Sequence, residues 1–428
     1  MRFHIIVLIL ISIFLSSLFA KEYTLDELYK ISLKKDPRLI EFKYSYQLLQ
    51  NKLNKLDSLF YPKVGYKLYI APMAEVKGEA SGSIDDMNFA GDWGYGLKST
   101  LSAVQPIYTF GKWSTAKDIG KKGIQIAKKK KIKIEQQVKY DLIRAYNALI
   151  LFKELEKILN DGKSNIKKAL KKVKKLEMED SDDYNEEDLF KLRIYQRKLS
   201  NKEGELNSLK EQIRFGIVTL LGIKKDFKIK YKKMSQDKLN KEFKLEDMLE
   251  YKMLLNLLDI NRLNISLKKR YFTPDLFIAA EWYFKYSNVA EKQSGYDPYH
   301  ANSPGIALGL RWNFDYFLLK ANLKRAKIEL SRTKARVDYL KDIGKIKDNK
   351  LVEELKLLEL KLNNLKSISK DSKKWFTGNA MDYYMGLGKA KDLLESLGAY
   401  LNSKNDYLRA LYNYNLKISE IKLFRGDL

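Results

Sequence analysis

The chain has 428 residues, 81 lysine plus arginine against 54 aspartate plus glutamate, a formal net charge of +27, two histidines and no cysteine. The missing cysteine excludes disulfides, thiolate metal sites and a cysteine nucleophile. His4 lies in an N-terminal apolar stretch and only His300 lies elsewhere, so no histidine triad or histidine-based metal centre can be assembled.

Residues 1–20 read as a secretory signal peptide, with Arg2, an apolar run from Ile5 to Leu15, and a small-residue site ending at Ala20. The run is short for a spanning helix, which needs roughly 20 apolar residues. A secreted chain has little use for a nucleic-acid surface, so the basic excess reads mainly as lysine on solvated helix faces. Residues 21–60 read helical, opened by Thr24 with Glu27 three positions on, a capping-box pattern. Asp36-Pro37 interrupts this helix. Tyr61-Pro62 ends it.

After Pro62 the apolar period becomes two. Val64, Tyr66, Leu68 and Ile70 alternate with Lys63, Gly65, Lys67 and Tyr69, and a return strand carries Trp93, Tyr95, Leu97 and Leu101. The hairpin spans 62–108, with a polar loop at 77–92. Proline-free helical periodicity then runs from Lys112 to Met178. That is a rod of about 100 Å. After a turn a second helix returns over 187–221.

The order then repeats. Residues 223–244 form a lysine-rich linker without clear pattern. A helix ends at Thr273-Pro274, and a second hairpin occupies 274–314. Leu276, Ile278, Ala280, Trp282, Phe284 and Tyr286 share one face of its first strand, and Ile306, Leu308, Leu310, Trp312 and Phe314 share one face of its second. Its loop, 287–303, holds His300, read as solvated. A helical hairpin follows over 318–426, where Leu351, Leu355, Leu358, Leu362 and Leu365 step by four and three, a coiled-coil seam. The plan divides the chain into a leader, a first repeat (21–222), the linker and a second repeat (245–428).

The fold class is therefore mainly α with β: long antiparallel coiled-coil helices plus two β-hairpins in an internal duplication. Strands of this length and alternation suit a tilted bilayer crossing. A half-buried soluble sheet gives the same alternation strand by strand; two matched hairpins favour the membrane. Four strands cannot close a barrel in lipid, so such a chain needs copies of itself, arranged cyclically.

Several patterns resemble the TolC family of outer-membrane efflux and secretion channels. They are Thr24-Leu25-Asp26-Glu27-Leu28 followed by Asp36-Pro37; Gln105-Pro106-Ile107-Tyr108 followed by Gly111; and Ala410-Leu411-Tyr412-Asn413-Tyr414-Asn415 with Gly426. The resemblance covers nearly the whole chain after the leader. It implies a homotrimer with a twelve-stranded barrel in outer-membrane lipid and helices projecting into the periplasm. It implies a periplasmic adaptor and an inner-membrane transporter as partners, efflux of small molecules or one-step protein secretion as function, and no nucleic acid, cofactor, metal or catalysis. The second strand-to-helix passage, Trp312-Asn313-Phe314-Asp315-Tyr316, lacks the proline and glycine of the first, and the first helical tip lacks the family's usual glycine.

Carried over residue by residue, Asp392 and Glu395 match the family's gate acids. Asp392 equally suits a helix N-terminus for electrostatic reasons alone. Gly386, Leu387, Gly388 and Lys389 form the tip before them, a candidate adaptor-docking turn. Gly388 and Lys389 stand where the family often has arginine and a small hydroxyl residue. The first tip is acidic: Glu177, Glu179, Asp180, Asp182, Asp183, Glu186, Glu187 and Asp188. Asp182, Asp183, Glu186, Glu187 and Asp188 are candidates for docking a basic partner; helix-start acids in a solvated turn explain the same cluster. Clustered carboxylates also suit a divalent cation, though the spacing matches no calcium loop. A soluble periplasmic coiled-coil scaffold or adaptor is the alternative function.

Overall fold

The computed structural model describes residues 22–75, 91–181, 183–292 and 297–428. The leader, most of the first hairpin loop and Asp182 lie outside the described residues. The chain divides into two compact units, and each takes segments from both halves of the sequence.

One unit comprises Ser45–Ala127 and Leu254–Val337. It holds four of the strands: β2 (Lys63–Ala74), β3 (Trp93–Tyr108), β5 (Asp275–Ser287) and β6 (Ala301–Arg311). They form one antiparallel sheet in the order β2-β3-β5-β6. Ladder pairs such as Tyr66↔Leu101, Leu101↔Trp282 and Ile278↔Leu308 bring the apolar faces of all four strands to one side. That side is open, with Val64, Tyr66, Ile306 and Leu308 all more than 60% exposed. The opposite side carries Gly65, Ser102, Thr100, Ala279 and Gly305 among lysines.

The prolines obey sheet physics. Pro72 and Pro304 lie in the two outer strands, where a missing donor is tolerated, and Pro106 lies at a register shift in β3. This explains two departures from the sequence reading. β6 begins at Ala301, inside what reads as loop, because Asn302, Ser303 and Pro304 are polar or donor-poor yet pair with Phe284, Tyr283 and Trp282. β6 also stops at Arg311, so Trp312 and Phe314 follow the strand rather than continue its face. Their rings pack against each other, tilted, with centroids 5.1 Å apart.

His300 is not solvated. Its ring packs edge-on against Tyr286 at 5.7 Å, with Nδ1 3.1 Å from Asp297 Oδ2 and Nε2 2.8 Å from the Ser287 carbonyl. Where β3 passes to helix, Phe110 and Gly111 both adopt positive φ. The Arg270 guanidinium donates to the Phe110 carbonyl at 3.0 Å. Lys112 bridges Asp275 and the Thr273 carbonyl, and the Trp113 indole donates to the Leu56 carbonyl.

The other unit comprises the residues up to Tyr44, Lys128–Met253 and Asp338–Leu428. The helices of the chain are α1 (Leu25–Lys35), α2 (Pro37–Ser58), α3 (Lys112–Met178), α4 (Glu186–Leu221), α5 (Leu249–Arg270), α6 (Tyr316–Met385) and α7 (Ala390–Arg425). Thr24 and Glu27 form the expected capping box of α1. The Asp36 backbone N–H closes α1 by donating to the Ser32 carbonyl, and its carboxylate accepts from the Arg38 amide at 2.9 Å, so one residue serves both helices at the break.

In this unit Leu142, Leu149, Phe152 and Leu155 of α3 are buried with Leu189, Leu192 and Leu199 of α4 and Leu393, Leu397 and Leu401 of α7. The α6 seam is buried at Leu351, Leu355 and Leu362 against Leu411, Tyr414 and Ile418. The linker is not featureless. β1 (Glu22–Tyr23) pairs in parallel with β4 (Lys228–Ile229). Phe227, Ile229 and Tyr231 turn to the core, and Lys228, Lys230 and Lys232 turn to solvent. A bidentate pair between Arg425 and Asp348, side chains only 6% and 7% exposed, fixes the end of α7 to α6.

Candidate functional site at the helical tips

Both helical reversals belong to the same unit. α6 ends in a Schellman turn: the Gly386 amide donates to the Tyr383 carbonyl at 3.2 Å and the Leu387 amide to the Asp382 carbonyl at 2.9 Å. Gly386 has φ +85°, the left-handed conformation this turn demands. Gly388 is needed for space, since a Cβ there would lie 2.9 Å from the Tyr383 amide nitrogen. Leu387, 80% exposed, stands out from the turn between them. Lys389 caps α7 without a side-chain hydrogen bond.

Asp392 is in the first turn of α7 and Glu395 one turn on. Leu393, Ser396 and Leu397 of the same helix are buried, so the two carboxylates lie on the exposed side. Among the described residues neither makes an ion pair or a side-chain hydrogen bond. The Asp392 backbone carbonyl accepts from Asn379 Nδ2 at 3.1 Å and from the Ser396 hydroxyl at 2.8 Å.

The first tip reverses without glycine. Asp180 takes φ +48°, a conformation that short polar side chains tolerate best after glycine. The Ser181 amide donates back to the Leu176 carbonyl, and Asn185 caps α4 by accepting from the Glu187 amide at 2.8 Å. Several acids are engaged by near neighbours: Glu177 by the Tyr184 hydroxyl, Glu179 by Lys175, and Glu187 by Lys191 at 2.6 Å. The hydrogen bond from Lys191, then its charge, hold the Glu187 carboxyl below the usual carboxylate range. Glu186, Glu187 and Asp188 occupy the first turn of α4, where a helix favours negative charge. Among the described residues no group of three His, Cys, Asp or Glu side chains is placed to hold a metal.

One contact that sequence reasoning missed joins the tips. Lys172 of α3 donates to the Tyr383 carbonyl at the end of α6, and its ammonium sits 4.8 Å from the Tyr383 ring. The neighbouring Tyr384 hydroxyl donates to the Asn165 carbonyl at 3.3 Å. Burial, then the charge of Asp188, push the Tyr383 phenol up to about 12. The Tyr383-Tyr384 doublet just before Gly386 was the available signal, but nothing local ties it to Lys172.

No family model matches the sequence, and no curated protein matches it. Solved structures do match. CusC, whose structures concern transmembrane channel formation, superposes with a TM-score of 0.76 at 12% identity over 95% of this chain and 93% of that one. The outer-membrane protein VceC of Vibrio cholerae gives 0.75 at 12% identity over 94% and 96%. The outer-membrane channel CmeC of Campylobacter jejuni gives 0.74 at 14% identity over 94% and 86%. The chain has the fold of the TolC-type outer-membrane channels. At such identities the likeness lies in backbone path, so the tip residues of this chain rest on their own geometry.

Proposed function

We propose that this chain is a homotrimeric exit duct of the outer membrane, with helices reaching into the periplasm. It passes small molecules or secreted protein delivered by an inner-membrane transporter through a periplasmic adaptor. It performs no chemistry. The observation that carries this reading is the four-stranded sheet: one mainly apolar face, with β2 and β6 each paired on one side only among the described residues. Unpaired edge amides and carbonyls in hydrocarbon cost several kcal/mol each, so the sheet needs copies to close. Three copies of four strands make a twelve-stranded barrel. The exposed apolar face argues against the soluble scaffold.

In this reading Asp392 and Glu395, whose carboxylates meet no partner among the described residues, form acidic rings at the tunnel mouth, and Gly386, Leu387, Gly388 and Lys389 offer the adaptor a rigid turn with an exposed leucine. Asp183, Glu186, Glu187 and Asp188 flank it as a negative rim. The test is purified protein in a planar bilayer. Stable conductance steps are expected, and larger ones in Asp392→Ala and Glu395→Ala. Protein that stays monomeric without detergent and never conducts would contradict the proposal; unchanged steps in both variants would remove the gate assignment alone.

A further inference from the structure

The two sides of the sheet differ in charge as well as polarity. The ladder places Lys63 and Lys67 of β2, Lys98 of β3, Lys285 of β5 and Arg311 of β6 on the polar side, against Asp275 and Glu281 of β5. Asp275 is already taken up by Lys112 at 2.9 Å and Arg311 at 3.8 Å. Among the described residues Lys63, Lys67, Lys98 and Lys285 meet no acid.

Lys98 and Lys285 are direct cross-strand partners. Like charges in that position destabilise a sheet. The arrangement is not relieved from the other side, where Lys98 faces Tyr69. Lys285 leans over the Tyr283 ring at 5.5 Å, which accommodates its charge without neutralising it. Lys63, Lys67 and Lys98 are exposed and Lys285 is half-buried, with the small residues Gly65, Gly96 and Gly305 on the same side of the sheet.

We propose that this face is an anion-attracting surface and that the duct favours acidic solutes, carrying carboxylate or phosphate groups, over cationic ones. The inference rests on the channel reading, in which the polar side of the sheet lines the lumen. A ring of positive side chains favours anions as an acidic ring favours cations, and each added copy of the chain repeats the five cations. Asp392 and Glu395 pull in the opposite sense, so their contribution has to be removed before the sheet can be read.

The experiment is the reversal potential of purified protein in a planar bilayer under a potassium chloride gradient, in the Asp392→Asn/Glu395→Gln background. Chloride is expected to be more permeant than potassium. Adding Lys98→Gln with Lys285→Gln is expected to lower the chloride-to-potassium permeability ratio by about two-fold or more. Lys67→Gln, made separately, is expected to lower it by less, and it serves should the double variant fail to assemble. Preference for potassium in that background, or a ratio unmoved by these substitutions, would overturn the proposal. Absence of any conductance from the unaltered chain would instead overturn the channel reading on which it rests.

Discussion

The two helical tips make the same reversal by different means. The second uses glycine twice, Gly386 for its positive φ and Gly388 for close approach to the Tyr383 backbone. The first uses Asp180 in a left-handed conformation and restores order with side chains: Asn185 on the α4 amides, Tyr184 on Glu177, Lys191 on Glu187. The difference sorts the acids. Many at the first tip serve the turn itself, whereas the Asp392 and Glu395 carboxylates meet no side-chain partner among the described residues, Asp392 facing only the helix N-terminus. A carboxylate left free beside a turn that is already satisfied is the better candidate for a contact made between copies.

The largest test of this contrast is Gly388→Val. Its branched side chain must displace the Tyr383 and Asp382 backbone, and a loss of about 1–3 kcal/mol in local opening energy is expected, read as faster amide exchange in residues 382–393. An unchanged exchange pattern would show that the second tip does not depend on close approach. Next come two opposed substitutions. Gly386→Ala places a side chain at positive φ and is expected to cost about 1–2 kcal/mol. Asp180→Gly removes the same strain and is expected to tighten the first tip by up to about 1 kcal/mol. If both changes act in the same direction, the two turns are not equivalent in backbone terms.

The smallest expected effect is on acidification. Glu187 has its folded pKa lowered, chiefly by the hydrogen bond from Lys191. A lowered carboxylate pKa stabilises above the unfolded value, and that contribution is lost as pH falls through the folded value. Amide protection in the first turn of α4 is therefore expected to weaken below about pH 4. Lys191→Ala should reduce that pH dependence, leaving the part due to the three acids at the helix start, and an undiminished dependence in the variant would contradict the pairing.

Much of this architecture was legible because it is local. Prolines at 37, 62 and 274 mark breaks, a period of two marks the strands, and the leucine steps from Leu351 to Leu362 mark a buried seam. What escaped depends on partners distant in sequence. Asn302, Ser303 and Pro304 become strand only because β5 lies beside them. The linker alternates between core and solvent only over its short run beside β1. Arg425 with Asp348, and Lys172 with Tyr383, are separated by 77 and 211 positions. At the tips the glycines were visible, but the division of the acids into engaged and free required side-chain geometry.

The central claim is that one chain carries an incomplete sheet which closes only with two further copies. The most direct measurement is native mass spectrometry of detergent-extracted protein. The account predicts a discrete species of three chains, each near 50.1 kDa less any removed leader, that persists on dilution. A monomer at all concentrations would contradict it.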